Sequence, residues 1–232
     1  MANNKTPLVQ ISNPSDIAPL REVVVGPYKP FTWWNLIWGS VRYPDLASLR
    51  YVSNNRVQVP DHDIARRQHE AFVQTILDSG VQVHTLHSLP DVDIQLYPRD
   101  LAFAVDGTLF LSRSRDPIRR KEQRALDALL PELSRVERLD GGYIEGGDVM
   151  VTDDVVLVGL GEATDEEARD LMVNTVALAP DRIIIDRRAH RLAEALRAHD
   201  VEPVALDFSE VTKFPGGFRC ATLPLRRVDE GD

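Results

Sequence analysis

Apolar positions along the chain change their spacing in a recurring order. Leu20-Arg21-Glu22-Val23-Val24-Val25-Gly26 reads as a β-branched strand closed by a glycine turn. After Asp61, the positions Ile64, Ala65, His69, Ala71, Phe72, Thr75, Ile76 and Leu77 fall on one helical face, and Gly80 stands where such a helix ends. Val81 to Leu86 then returns as a strand. A second unit starts with a strand at Leu101 to Val105, an Asp106-Gly107 turn and a strand at Thr108 to Ser112, since Asp-Gly between alternating apolar residues marks a hairpin. The pattern continues with a helix over Asp116 to Leu130 and a strand over Ser134 to Leu139.

The same order begins again at Asp148 to Thr152, with an Asp153-Asp154 turn, a strand at Val155 to Leu160, and a helix opened by Thr164 with Glu167 in the capping-box position. A last copy places a strand at Arg182 to Ile185, a helix at Arg188 to His199 and a strand at Val201 to Leu206. Repetition with a period on the order of 50 residues predicts an α/β propeller or barrel, with helices outside and short strands inside. The third copy is defective: Leu171-Met172 runs into Val173-Asn174-Thr175-Val176 with no returning strand and no glycine cap. Residues 27–60 follow neither period, and they carry Trp33, Trp34 and Trp38. This stretch reads either as a loop anchored over the core by its indoles or as a lid over a substrate.

Composition narrows the function. A chain of 232 residues is long enough for a single domain with a real core. A net charge of −9, from 27 Lys and Arg against 36 Asp and Glu, argues against binding nucleic acid, which needs a basic face. The apolar runs are short, such as Ile183-Ile184-Ile185, so no membrane span is expected, and the polar Met1-Ala2-Asn3-Asn4-Lys5 start is unlike a signal peptide. A cytoplasmic protein is the expectation. The one cysteine, Cys220, forms no internal disulfide and cannot build a multi-thiolate zinc site, which leaves an inert thiol or a nucleophile.

Three motifs carry the polar chemistry: Tyr97-Pro98-Arg99-Asp100, Ile144-Glu145-Gly146-Gly147-Asp148-Val149, and Pro215-Gly216-Gly217-Phe218-Arg219-Cys220-Ala221-Thr222-Leu223-Pro224. Each places charged or nucleophilic groups at the start of a strand, the latter two beside glycines that allow close backbone approach. In a repeat fold such equivalent positions converge on the axis. As an ordered set, with the Leu-Arg-Glu-Val-Val-Val-Gly start, these motifs resemble the guanidino-group-modifying enzymes of the pentein fold: arginine deiminases, dimethylarginine dimethylaminohydrolases and amidinotransferases. The resemblance implies a five-bladed propeller of ββαβ repeats, here a single pentein-like domain over residues 1–232 lacking about one blade, with the break near residues 171–174.

The resemblance also implies roles. Cys220 is the nucleophile, Glu145 shares the catalytic site with it, and Asp100, Arg99 and Asp148 bind substrate. Paired carboxylates at Asp100 and Glu145 suit a planar, delocalised guanidinium, which must be held by bidentate hydrogen bonds before a thiolate reaches its carbon. No metal and no organic cofactor is implied. The partner is a small guanidino compound, and a homodimer is left open. For the α-carboxylate of such a substrate, Arg99, Arg113 and Arg219 are all candidates.

The family pattern also asks for a histidine as general acid and base, and it is absent. His62, His69, His84, His87, His190 and His199 all stand in other sequence contexts. The gap coincides with the defective third copy, and three readings follow: a stretch missing from the chain, a natural deletion that binds guanidino compounds without turnover, or a four-bladed ring in which another histidine such as His84 serves. The function expected is cysteine-dependent hydrolysis of an arginine-like substrate, with amidino transfer and non-catalytic guanidine binding as alternatives.

Overall fold

The computed structural model describes residues 9–30, 32, 34, 58–105, 107–138, 142–152, 156–158, 175–214 and 216–228. In chain order its elements are β1 (Leu20–Val25), α1 (His62–Asp78), β2 (Gln82–Thr85), β3 (Ala102–Val105), β4 (Thr108–Leu111), α2 (Pro117–Glu122), β5 (Val136–Arg138), β6 (Val149–Val151), β7 (Val156–Val158), β8 (Val176–Ala179), β9 (Arg182–Asp186), α3 (His190–Ala198), β10 (Glu202–Leu206) and β11 (Thr222–Arg227).

Three sheets repeat one design. Each contains an antiparallel strand pair, a helix after the second strand of that pair, and a third strand that returns parallel to it, as a helical crossover allows. β3 and β4 with α2 and β5 make one such unit, and β8 and β9 with α3 and β10 make another. The unit of β11, β1, α1 and β2 joins the two ends of the described chain, with Val24 opposite Leu223 and Val25 opposite Thr222. A fourth sheet, β6 with β7, is two-stranded among the described residues. The helix expected from Thr164 and the break near 171–174 lie outside the described residues, as do Trp33 and Trp38. Trp34 is described and is 65% exposed.

Local chemistry sets the element ends. Asp61 caps α1 by accepting hydrogen bonds from the backbone N–H groups of Asp63 (3.1 Å) and Ile64 (3.0 Å). Gly80, at φ +76°, takes the left-handed conformation that ends the helix. The buried face of α1 sets Phe72 against Phe208 and Phe218, with ring centroids 5.3 and 5.2 Å away. Burial of such a ring contributes about 2–3 kcal/mol.

One expected element differs. The helix read over Asp116 to Leu130 is α only through Glu122, and 3₁₀ turns follow at Gln123–Leu126 and Leu130–Glu132. Gln123 Nε2 donates to the carbonyls of Leu101 (2.9 Å) and Ser112 (2.8 Å), which pins the chain to the neighbouring strands. Pro131 disfavours continued α geometry at Leu130. Among the described residues, no helix is long and apolar enough to cross a membrane.

Candidate active site

Each of the three polar motifs forms a tight turn just before the first strand of a sheet. Pro98–Leu101 is a 3₁₀ turn leading into β3, and Gly146–Asp148 is one leading into β6. Before β11, Ala221 N–H donates to the Gly217 carbonyl (3.0 Å), and both the N–H and Oγ1 of Thr222 donate to Arg219 O at 3.1 and 3.0 Å. Cys220 is carried on this turn.

The turns meet. The Arg99 N–H donates to the Cys220 carbonyl at 3.3 Å. Gly146 presses on the other turn so closely that an added Cβ would lie 2.2 Å from Arg99 O and 2.4 Å from Ala102 O, while one on Gly147 would lie 2.8 Å from Asp100 Oδ1. At position 146 only glycine fits, because the approach there is backbone to backbone. Arg219 reaches across to the carbonyls of Gly147 (3.0 Å) and Val149 (2.7 Å). Asp100, Glu145, Asp148 and Cys220 therefore belong to one assembly built from three turns.

Their charges act on one another. Burial raises Asp100 above the usual carboxylate range; Arg119 opposes this, and Asp148 adds to it. Glu145 is raised by burial and then by Asp100, against a hydrogen bond from Ser114 Oγ. The Cys220 thiol is raised by burial and by Asp100, with the Gly217 N–H, Arg219 and Arg99 pulling the other way. A cation placed among these groups would relieve all three shifts in the same direction, because it stabilises each ionised form.

Behind them lies a buried ionic layer. Arg119, 5% exposed, donates to Glu122 and stands 3.4 Å from Asp100 Oδ2, with its guanidinium 5.8 Å from the centre of the Tyr97 ring. Glu122 is fully buried and pushed up to about 7 by that burial. The Arg99 guanidinium, expected at the substrate, turns instead to Asp16 at 3.6 Å and is itself buried. Arg219 is occupied by Asp16 (3.2 Å) and the two carbonyls. Arg113 stands 5.4 Å from the centre of the exposed Tyr143 ring, and its backbone bridges to Ile144, next to Glu145.

Sequence reasoning missed Asp16, Ser114, Arg119 and Glu122. Arg119 and Glu122 read as an ordinary i,i+3 pair on a helix, and only their burial sets them apart.

All six histidines fall in described residues. His69, on α1, is lowered to about 4 by burial, and His62 Nδ1 is 2.8 Å from the Tyr28 hydroxyl. His84 Nε2 is 2.9 Å from Glu22 Oε1. Glu22 lies toward the start of β1, whereas the Cys220 turn adjoins the other end, where Val25 pairs with Thr222. His190 and His199 lie at the two ends of α3.

The comparisons with known families give the class: enzymes that act on guanidino groups. A family model for eukaryotic N,N dimethylarginine dimethylhydrolase matches residues 53–184, and one for arginine deiminase matches residues 163–227. The chain belongs to the pentein superfamily of guanidino-group-modifying enzymes, whose members are hydrolases or amidinotransferases. The uncharacterized protein YkgA of Bacillus subtilis is 33% identical over 231 residues, covering 70% of this chain and 80% of that protein. Inosamine-phosphate amidinotransferase 1 of Streptomyces glaucescens is 33% identical over 74 residues, 31% of this chain and 21% of that one.

Among solved structures, a dimethylarginine dimethylaminohydrolase of Pseudomonas aeruginosa complexed with citrulline has a TM-score of 0.66 at 15% identity, covering 89% of this chain and 99% of that one. The inosamine-phosphate amidinotransferase of Streptomyces griseus has a TM-score of 0.62 at 16% identity, covering 96% and 98%. At these identities the likeness establishes the mixed α/β pentein fold.

Proposed function

We propose that the chain holds the guanidinium of an arginine-like substrate between Asp100 and Glu145, with Asp148 adjoining, and that Cys220 attacks its central carbon, the overall reaction being hydrolysis. The observation that carries this reading is the convergence of the three turns, which puts mutually repelling, partly buried carboxylates beside the one thiol of the protein. Carboxylates in such a setting favour a cation, and the bound cation in turn lowers the thiol toward its nucleophilic form.

In this reaction a new C–S bond forms, the thiol proton ends on the departing amine, and an amidino-cysteine remains. Water then adds to that carbon, expels the thiolate and leaves a ureido product. Glu145, raised above its ordinary value by burial and then by Asp100, is the group in the assembly to which this reading gives the proton. Arg99 and Arg219 fix the turns through Asp16 and backbone carbonyls. Interception of the amidino-cysteine by an amine instead of water would make the enzyme an amidinotransferase, a reading favoured by the matching Streptomyces segment.

The fold in this reading is a five-bladed propeller short of one blade. The Bacillus alignment supports it: 70% of 232 residues is about 162, so about 70 of the 231 aligned positions face no residue of this chain. Among the described residues, β6 and β7 precede the expected break. A loss there would also account for the missing histidine, and that absence favours a second reading, a guanidine-binding protein without turnover.

One experiment separates these readings: calorimetry with arginine and dimethylarginine, run beside assays for citrulline and for amidino transfer to glycine or ornithine. Binding with citrulline formation upholds hydrolysis, binding with neither product supports the binder, and absence of binding overturns the site.

A further inference from the structure

Asp16, which belongs to none of the three motifs, also acts on the site. Its backbone N–H donates to the Val151 carbonyl at 2.9 Å, which fastens it to β6. Its carboxylate meets two arginines, Arg219 Nη2 at 3.2 Å from Oδ2 and Arg99 Nη2 at 3.6 Å from Oδ1. Arg99 immediately precedes Asp100, and Arg219 immediately precedes Cys220. We propose that Asp16 is a positioning residue that fixes the spacing and the charge of the Asp100 and Cys220 turns through Arg99 and Arg219. This deepens the guanidino-enzyme reading and rests on it for its functional meaning.

The charge balance makes Asp16 decisive. Three buried guanidiniums, Arg99, Arg219 and Arg227, surround this one carboxylate and hold it ionised below the usual range, although burial alone would raise it. Arg227 is tied to the carbonyls of Ala18 and Ala177, and its Nε, like that of Arg99, is buried without a hydrogen-bond partner. Among the described residues, Asp16 is the carboxylate that pairs with both Arg99 and Arg219. The groups facing Cys220 are Asp100, the Gly217 N–H, Arg219 and Arg99, and those facing Asp100 are Arg119, Asp148, Arg219 and Arg99. Removing the charge of Asp16 leaves two guanidiniums under-neutralised beside the thiol and beside the expected cation site. The thiol then becomes more acidic while a cationic substrate binds more weakly, two effects that a merely structural residue would not pair.

The test is the pH profile of Cys220 alkylation by iodoacetamide on the full chain, with labelling assigned by mass. Asp16→Asn keeps an oxygen acceptor and loses the charge. Its alkylation midpoint is expected to fall by about one pH unit, its arginine affinity to fall ~tenfold, and Asp16→Glu to restore both. Arg99→Gln supplies an arm of opposite sign should Asp16→Asn fail to fold: it removes one of the cations facing the thiol and is expected to raise the midpoint. Unchanged midpoints in folded Asp16→Asn, or in Arg99→Gln, overturn the proposal. Because alkylation needs no guanidino compound, a positive pH result with no arginine binding would sink the guanidino reading alone.

Discussion

The backbone N–H of Arg99 donates to the carbonyl of Cys220 at 3.3 Å, so the turn that presents Asp100 is bonded to the turn that presents the thiol. A chain separation of more than a hundred residues is closed by one backbone contact. Main chain thus ties the two turns directly, beside the contacts of Asp16 to Arg99 and Arg219, and substitutions at the Asp100 and Glu145 carboxylates leave both ties in place.

That separation of roles predicts how the carboxylates behave. Asp100→Asn and Glu145→Gln are expected to weaken capture of arginine by ~10–100-fold, each losing a charge-assisted hydrogen bond to a buried cation, with unfolding midpoints little changed. The pH dependence has a definite sign. Both groups are raised above their ordinary values by burial, and only their ionised forms attract a cation, so wild-type affinity rises with pH through that raised range. Calorimetry from pH 4.5 to 8 checks this, and a profile that is flat or falls with pH would contradict it.

Gly146 tests the close approach of the turns. The atoms that a new Cβ would meet at 2.2 and 2.4 Å are backbone oxygens, which cannot rotate aside. Gly146→Ala is expected to cost at least ~2 kcal/mol of stability, and to slow Cys220 labelling by amidines because the two turns separate. Denaturant unfolding reads the first effect; a wild-type midpoint would show that the turns are not in contact.

Glu122 offers a prediction about stability alone. Burial raises it from 4.5 to about 7 in the folded protein. Between those values the folded state retains a proton that the unfolded state has released, so stability is present below pH 4.5 and is lost as pH rises to about 7. The loss amounts to ~3 kcal/mol. Glu122→Gln cannot titrate and is expected to show a correspondingly shallower decline over that window in urea unfolding. Parallel curves for the two proteins would place Glu122 at its ordinary value.

What could be read from the sequence was what is local. The alternation around Asp106-Gly107, the helical spacing before Gly80 and the recurring strand–helix–strand order foretold β1 to β5, β9, α3 and β10 closely, because each arises from a few neighbouring residues, whereas β8 and the pairing of β11 with β1 were not foreseen. The motifs around Asp100, Glu145 and Cys220 stood out for a different reason: charged or nucleophilic groups at the start of a strand, two of the three beside glycines, form an ordered set. The helix after Asp116 was over-extended because its winding is decided by Gln123 reaching Leu101 and Ser112, contacts that periodicity does not register. Asp16 stayed hidden for the same reason, its partner Arg219 lying 203 residues away. Arg119 and Glu122 have no signature in the sequence, since nothing there says that their face of α2 is buried.

The central claim, a guanidinium site armed by Cys220, is tested most directly by the intact mass of the protein after exposure to chloroacetamidine, with and without arginine. The account predicts a single adduct, mapped to Cys220, slowed by arginine and absent in Cys220→Ser, with the protection lost in Asp100→Asn. Absence of an adduct, or an adduct at Cys220 that arginine does not slow, would contradict it.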